Sequence, residues 1–167
     1  MCSAEPGRFA EVTSYSIRKA IEDDAAAILA CLQAAFEPFR TQYTLTGYAD
    51  TVLSPETIRR RMQTMVILVA ECSGAVAGTI GCAAVGNGEG HLRGMAVLPD
   101  QQGSGLAEAL LHAAEGELRS LGCTRVTLDT TEPLRRAIRF YERNGYRSTG
   151  RVEDFFGMAL YEYAKEL

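Results

Sequence analysis

The segment 91–111, HLRGMAVLPDQQGSGLAEALL, constrains the fold more than any other stretch, because an apolar strand runs into a glycine turn that opens directly into a helix. Gly103 and Gly105 flank Ser104, so the backbone can bend sharply and approach a ligand without Cβ obstruction. The first N–H groups of a helix lack intrahelical partners, and with the positive helix terminus they favour phosphate. No Lys or Arg lies between Gly94 and Arg119, so an anion at this turn is held mainly by backbone dipoles. Short glycine turns are also ordinary strand-to-helix connectors, and the stretch by itself leaves that alternative open.

Such a junction needs a sheet and a core to pack on. With 167 residues and 47% apolar content, the chain can bury one substantial core as a single domain without disulfide or metal staples. Seventeen Lys and Arg against 21 Asp and Glu give a net charge of −4. The one basic run, Arg59-Arg60-Arg61, reads as a solvated helix face, and no nucleic-acid footprint is expected. Cysteines at 2, 31, 72, 82 and 123 are odd in number and lack C-x-x-C spacing, which suggests neither a disulfide framework nor a zinc site and fits a reducing cytoplasm. Residues 1–14 contain no apolar h-region and the chain no 18-residue apolar run, so a frayed leader and no membrane insertion are expected.

In chain order, Tyr15–Lys19 alternates as a strand. Acids at 22–24 then open a helix over 25–36, whose face is Ile28, Leu32 and Ala35/Phe36 and which Pro38 ends. Residues 37–53 carry aromatics and hydroxyls without a sustained period and read as a loop. There Phe39, Tyr43 and Tyr48 either line a pocket or pin the loop to the core. Ser54-Pro55 starts a second helix to about Gln63. VILVAEC, a Ser73-Gly74 turn and AVAGTIGCAAV read as a hairpin, with Gly78 and Gly81 marking bulges or close packing. The strand HLRGMAVL carries an irregularity at Gly94. A long helix from Leu106 ends at Gly122, TRVTLD follows as a strand, Pro133–Arg143 as a helix, and 146–152 and 155–163 as two last strands. This order predicts an α/β fold, α+β by some schemes: a mixed, mostly antiparallel sheet of about seven strands flanked by about four helices.

Two motifs in this order resemble the GCN5-related N-acetyltransferases (GNAT). The family's acetyl-CoA motif, Q/R-x-x-G-x-G/A, is matched by Gln102, Gly105 and Ala107, and its tyrosine motif by Ala137, Ile138, Tyr141, Gly145 and Tyr146 in AIRFYERNGY. The resemblance in element order runs from about residue 15 to the C-terminus. It implies acetyl transfer from acetyl-CoA to a primary amine by direct attack in a ternary complex, with no metal. It also implies that Gly103, Ser104, Gly105, Leu106 and Ala107 hold the pyrophosphate. The pantetheine arm runs beside Met95 and Val97, with the Val97 N–H polarising the thioester carbonyl. Tyr141 then matches the residue that protonates the departing thiolate, although its pattern also suits a core tyrosine.

The sequence departs from the family twice. Where many members carry an acid at the start of the fourth strand stands His91, with Glu89 two positions earlier; either is a candidate base, and His91 also suits a structural role. Where many carry an asparagine three residues before the A-I pair stands Leu134, which shifts its contacts to Thr130 or Thr131. The aromatic, hydroxyl-bearing loop suggests a small-molecule amine acceptor, and a homodimer is compatible with the chain.

Two other classes compete. A dinucleotide-binding oxidoreductase accounts for Gly103-Ser104-Gly105 and for Asp129 as a ribose-binding acid, but Glu108 occupies its third glycine position. A binding or regulatory domain of the same fold, with CoA affinity and no turnover, is the non-enzyme alternative.

Overall fold

The computed structural model describes residues 14–167 and builds them on strands β1 (Tyr15–Lys19), β2 (Val66–Cys72), β3 (Ala75–Gly86), β4 (Glu89–Val97), β5 (Arg125–Thr131), β6 (Arg147–Phe155) and β7 (Met158–Glu166). They form one sheet in the order β1-β2-β3-β4-β5-β7-β6, antiparallel throughout except between β4 and β5. The expected mixed, mostly antiparallel sheet therefore forms, and it is not the parallel sheet of a dinucleotide-binding fold. Apart from Ser14, the expected leader lies outside the described residues.

Five helices cover the sheet where four were expected: α1 (Ala25–Phe36), α2 (Leu45–Val52), α3 (Pro55–Thr64), α4 (Leu106–Ser120) and α5 (Arg135–Arg143). The extra one is α2, inside the stretch read as a loop. Its sequence LTGYADTV has no apolar stripe, and only Gly47 and Val52 are buried. What starts it is a side-chain cap, Thr44 Oγ1 accepting from the Gly47 N–H at 3.2 Å. A second correction concerns the last two strands, which turn at Phe156-Gly157, both at positive φ, and not at Glu153-Asp154. That acidic pair lies on the exposed strand β6, where charge needs no turn to reach water.

Strand alternation divides the core in two. Ile28, Cys31 and Leu32 of α1 and Ile58 of α3 pack on Ile67, Val69 and Ala96 on one face. On the other, Leu106, Leu110, Leu111, Ala114 and Leu118 of α4 pack on Leu68, Ile80, Leu92 and Val126. Each buried leucine contributes roughly 2 kcal/mol, several times a surface ion pair, so α4 is held by its apolar face. Its approach is close: a Cβ on Gly78 would stand 2.8 Å from the Leu110 side chain. The four described cysteines are free and buried, and burial pushes the thiols of Cys31 and Cys82 up to about 11.

One charge lies within this apolar contact. Glu115 of α4 is 2% exposed and accepts from the Tyr146 hydroxyl and from Lys165 Nζ, both at 2.9 Å, which ties the helix to the chain after α5 and to β7. Removing one member leaves the others desolvated and unpaired. Glu115→Ala is expected to lower the unfolding free energy by about 3 kcal/mol in urea titration, more than truncation at an exposed helix position.

Candidate active site

Strands β4 and β5 pair only over Glu89–Leu92 and Arg125–Leu128. Beyond that, β4 carries one residue more than β3: Arg93 faces Gly81 while Ala96 faces Thr79, and Gly94 sits at φ 66°. A bulge of this kind bends its strand and increases the local twist. β5 meanwhile stays on β7 as far as Thr131. The two strands diverge, and a wedge opens between them. The Leu98 N–H donates to the Ala77 C=O at 2.8 Å, so by the alternation of an antiparallel ladder the N–H and C=O of Val97 point the other way, into the wedge. Gln102 Nε2 donates to the Val97 C=O at 3.2 Å.

After one 3-10 turn at Pro99–Gln101, the chain reaches the glycine turn. Gly103 and Gly105 stand at φ 80° and 86°, the left-handed region where only glycine is unstrained, and Gly105 is the N-cap of α4. The helical ladder starts with the Ala109 N–H donating to the Gly105 C=O. Side chains here serve the turn itself, since Ser104 Oγ donates to the Gln101 C=O at 2.6 Å and Gln102 holds Val97. What remains for an anion is the row of amides from Gly103 to Ala107, with open space at both glycines. Leu106 itself is buried in the core, so its contribution there is confined to backbone.

α5 brings Tyr141 to the wedge from the same face as α4. Its ring packs edge-on against Phe140 and Tyr146, and its hydroxyl lies 3.4 Å from Met95 Sδ. Burial alone raises this phenol well above the ordinary tyrosine range, so it is protonated at any working pH. Thr130, also buried, has a hydroxyl without a hydrogen-bond partner among the described residues.

Across the sheet, a cavity of about 260 Å³ opens under α1 and α2 and is lined by Tyr43, Asp50, Arg61, His91, Met95, Asp129 and Thr131 among others. His91 Nδ1 is 2.9 Å from Thr127 Oγ1, and its Nε2 is 3.5 Å from Asp129 Oδ2. Desolvation lowers the His91 pKa below the usual 6.5, while the Asp129 charge opposes the shift. Asp129 is raised above the usual carboxylate value, first by burial, with Glu162 and Glu153 adding to the shift. The shifts leave the His91 imidazole free to accept a proton and make the Asp129 carboxylate a stronger base than an ordinary one. Tyr43 closes one wall through a 2.7 Å hydrogen bond to Thr131 Oγ1 and edge contacts with Phe36 and Tyr48.

The structure brings His91, Met95, Val97, Tyr141 and the 102–107 turn to one wedge. It does not bring Glu89, whose carboxylate is held by Arg125 at the closed end of the strand pair and does not line the cavity. Of the three loop aromatics, only Tyr43 lines this cavity; Tyr48 donates to Glu37, and Phe39 takes no part. Arg61 corrects the reading of a solvated basic run. It stands three residues after the buried Ile58 on α3, so it shares that inward face, and it lines the cavity. Asp129 was read only as a ribose ligand of a competing class; its register two residues after Thr127, on the face of His91, was the signal that places it.

The pair gives a direct test. NMR titration is expected to place the His91 pKa below 6.5, and Asp129→Asn, which removes the charge that supports the imidazolium, is expected to lower it further. An upward shift in that variant would contradict the geometry.

Comparison with known proteins agrees with this arrangement. A model of the acetyltransferase (GNAT) family matches residues 27–146. Among solved structures, a GCN5-related N-acetyltransferase from Rhodopseudomonas palustris superposes with a TM-score of 0.77 at 20% identity, covering 96% of this chain and 100% of that one. The PaiA N-acetyltransferase from Thermoplasma acidophilum, solved in complex with coenzyme A, gives 0.74 at 18% identity over 92% and 99%. A ribosomal-protein-alanine N-acetyltransferase from Brucella melitensis gives 0.72 at 23% over 91% and 99%. At these identities the superpositions speak for the fold, whereas the family match spans well over half of the sequence and both motifs. The chain belongs to the GNAT acetyltransferase family and is an acyltransferase.

Proposed function

We propose that the protein transfers an acetyl group from acetyl-CoA to a primary amine of a small molecule, both substrates being bound together. The observation that carries this reading is the position of the Tyr141 hydroxyl at Met95, in a wedge with an anion-accepting helix end on one side and the His91–Asp129 cavity on the other. Acetyl-CoA supplies an acyl carbon activated as a thioester, with a thiolate as leaving group.

The residues divide the work as follows. Backbone amides of Gly103 to Ala107 hold the pyrophosphate, with Gln102 fixing the turn to Val97. The free backbone edge at Met95 and Val97 takes the pantetheine arm, and the unpartnered Thr130 hydroxyl is the group available to its amides in place of the asparagine that Leu134 replaces. The Val97 N–H faces the carbonyl oxygen as negative charge develops there. His91 and Asp129 together take the proton from the incoming ammonium. Their 3.5 Å separation is too long for a direct bond but can be bridged by an ammonium donating to both. As the new C–N bond forms and C–S breaks, Tyr141 gives its proton to the sulfur, and the second proton shed by the nitrogen passes through solvent to restore the phenol. Burial holds the phenol protonated, so its proton is available as the thiolate leaves. Glu89, held by Arg125, has no part in these steps.

Three measurements test this division. Gly105→Val forces a β-branched residue to φ 86°, at a cost of roughly 1–3 kcal/mol, with no neighbour to clash with. The fold should survive while acetyl-CoA binding weakens by at least ~10-fold in calorimetry. Unchanged affinity would remove the turn from the binding site. Tyr141→Phe keeps the packing and should cut kcat by ~10²-fold with acetyl-CoA affinity preserved; wild-type turnover with chemistry rate-limiting would reduce Tyr141 to a packing residue. The acid limb of kcat/KM should rise with pH through a value below 6.5, because His91 must be neutral to accept a proton and burial has lowered its pKa. His91→Gln should remove that limb, whereas Glu89→Gln should leave it in place.

A further inference from the structure

Arg61 is the cavity group that the transfer reaction leaves unused. It is half-buried on α3 with its guanidinium against the β4 bulge, where a Cβ on Gly94 would stand 2.8 Å from Nη1. Among the described residues its guanidinium makes neither a hydrogen bond nor an ion pair. Its nearest anion, Asp50, is already bound by Arg93 Nη2 at 3.2 Å. Desolvation, with repulsion from Arg93, lowers its pKa to about 10, the mark of a cation placed where it lacks a counter-charge. At the His91 end the imbalance is reversed: among the described residues the ion-pair partner of Asp129 is a histidine that burial keeps neutral, with Arg151 acting only from farther away. One cavity thus presents an unmatched cation and an unmatched anion, with Arg93 and Asp50 cancelling between them.

We propose that the acceptor is an amino acid or a similarly small amine bearing a carboxylate, bound with the carboxylate on Arg61 and the ammonium at Asp129 and His91. This rests on the transferase reading above. An unpaired charge in a partly enclosed cavity is unfavourable, and a zwitterionic ligand pairs both ends at once, whereas a simple alkylamine pairs only one. The guanidinium fork matches a carboxylate with two parallel hydrogen bonds. His91 and Gly94 are three residues apart on one strand, about 10 Å at the rise of an extended chain, so the two charged ends of the cavity fall within the span of a small acceptor. The cavity volume of about 260 Å³ suits one amino acid.

The test uses amine pairs that differ only by the carboxylate: L-phenylalanine with phenethylamine, L-leucine with isoamylamine, and β-alanine with ethylamine. Acetyl-CoA consumption is followed for the full-length protein and for Arg61→Met, which keeps the packing of the stem and removes the charge. In at least one pair the wild type should prefer the carboxylate member by about 10- to 100-fold in kcat/KM, the worth of a charge-assisted hydrogen bond or two. Arg61→Met should shrink that preference to about threefold or less through KM, with acetyl-CoA affinity unchanged. Arg61→Lys, which keeps charge and loses the fork, should fall between them and serves if the methionine variant does not fold. The proposal is overturned if every pair favours the carboxylate-free amine, or if the preference survives both substitutions. It is equally overturned if succinyl-CoA outperforms acetyl-CoA in an Arg61-dependent way, since the carboxylate would then belong to the acyl group. A separate arm does not depend on turnover: calorimetry of N-acetyl-L-phenylalanine and of its primary amide with CoA-loaded protein. Selective, Arg61-dependent binding of the acid supports the carboxylate site even if no amine reacts, which would sink only the transferase reading. Equal binding or none overturns the site.

Discussion

The extra residue at the Gly94-Met95 bulge decides where β4 stops being an interior strand, and the rest of the site depends on that. Up to Leu92 the strand is paired on both sides; past it, one edge of backbone faces a wedge while the other remains on β3. A backbone edge buried without partners is costly, so a fold that keeps one open is built around something that will pair with it. The same bulge also brings the Gly94 backbone against Arg61 and directs Met95 towards the Tyr141 hydroxyl. Groups from α3, β4 and α5 converge because one strand bends.

The two sides of the wedge use different electrostatics. At the helix end no Lys or Arg lies between Gly94 and Arg119 in the sequence, and the proposed anion site is made of fixed dipoles that neither titrate nor change rotamer. In the cavity the charges are side chains that desolvation has shifted: His91 and Arg61 downwards, Asp129 upwards. The first arrangement suits a cosubstrate whose phosphates are always charged. The second suits a substrate that must arrive charged, lose a proton and leave neutral at nitrogen.

What the sequence revealed follows a physical division. Features fixed by local backbone chemistry were legible: the helix over 25–36, the Ser73-Gly74 hairpin, the glycine turn and the irregularity at Gly94. α2 was not, because it is nucleated by a Thr44 cap and carries no apolar stripe to give it a period. The final turn was misplaced because acids on an exposed edge strand look like turn residues. Within the candidate site, motif order singles out Tyr141 and the 102–107 turn. The partnership of His91 with Asp129 and the inward turn of Arg61 depend on strand register and helix docking, which no single stretch encodes. Glu89 shows the same limit from the other side: two residues from His91 and on the same face, it is neutralised by Arg125 across a strand boundary.

The strand order also bears on how the molecule comes to exist. β7 is the last strand of the described chain, yet it lies inside the sheet between β5 and β6 and carries Lys165 to the buried Glu115. A nascent chain emerging from the ribosome therefore exposes one edge of β5 until β7 has also emerged. At roughly 5–20 residues per second, that edge stays open for seconds after β5 has emerged. Synthesis in chain order cannot complete the sheet strand by strand, and the wedge acquires its fixed wall only when β7 slots in between β5 and β6.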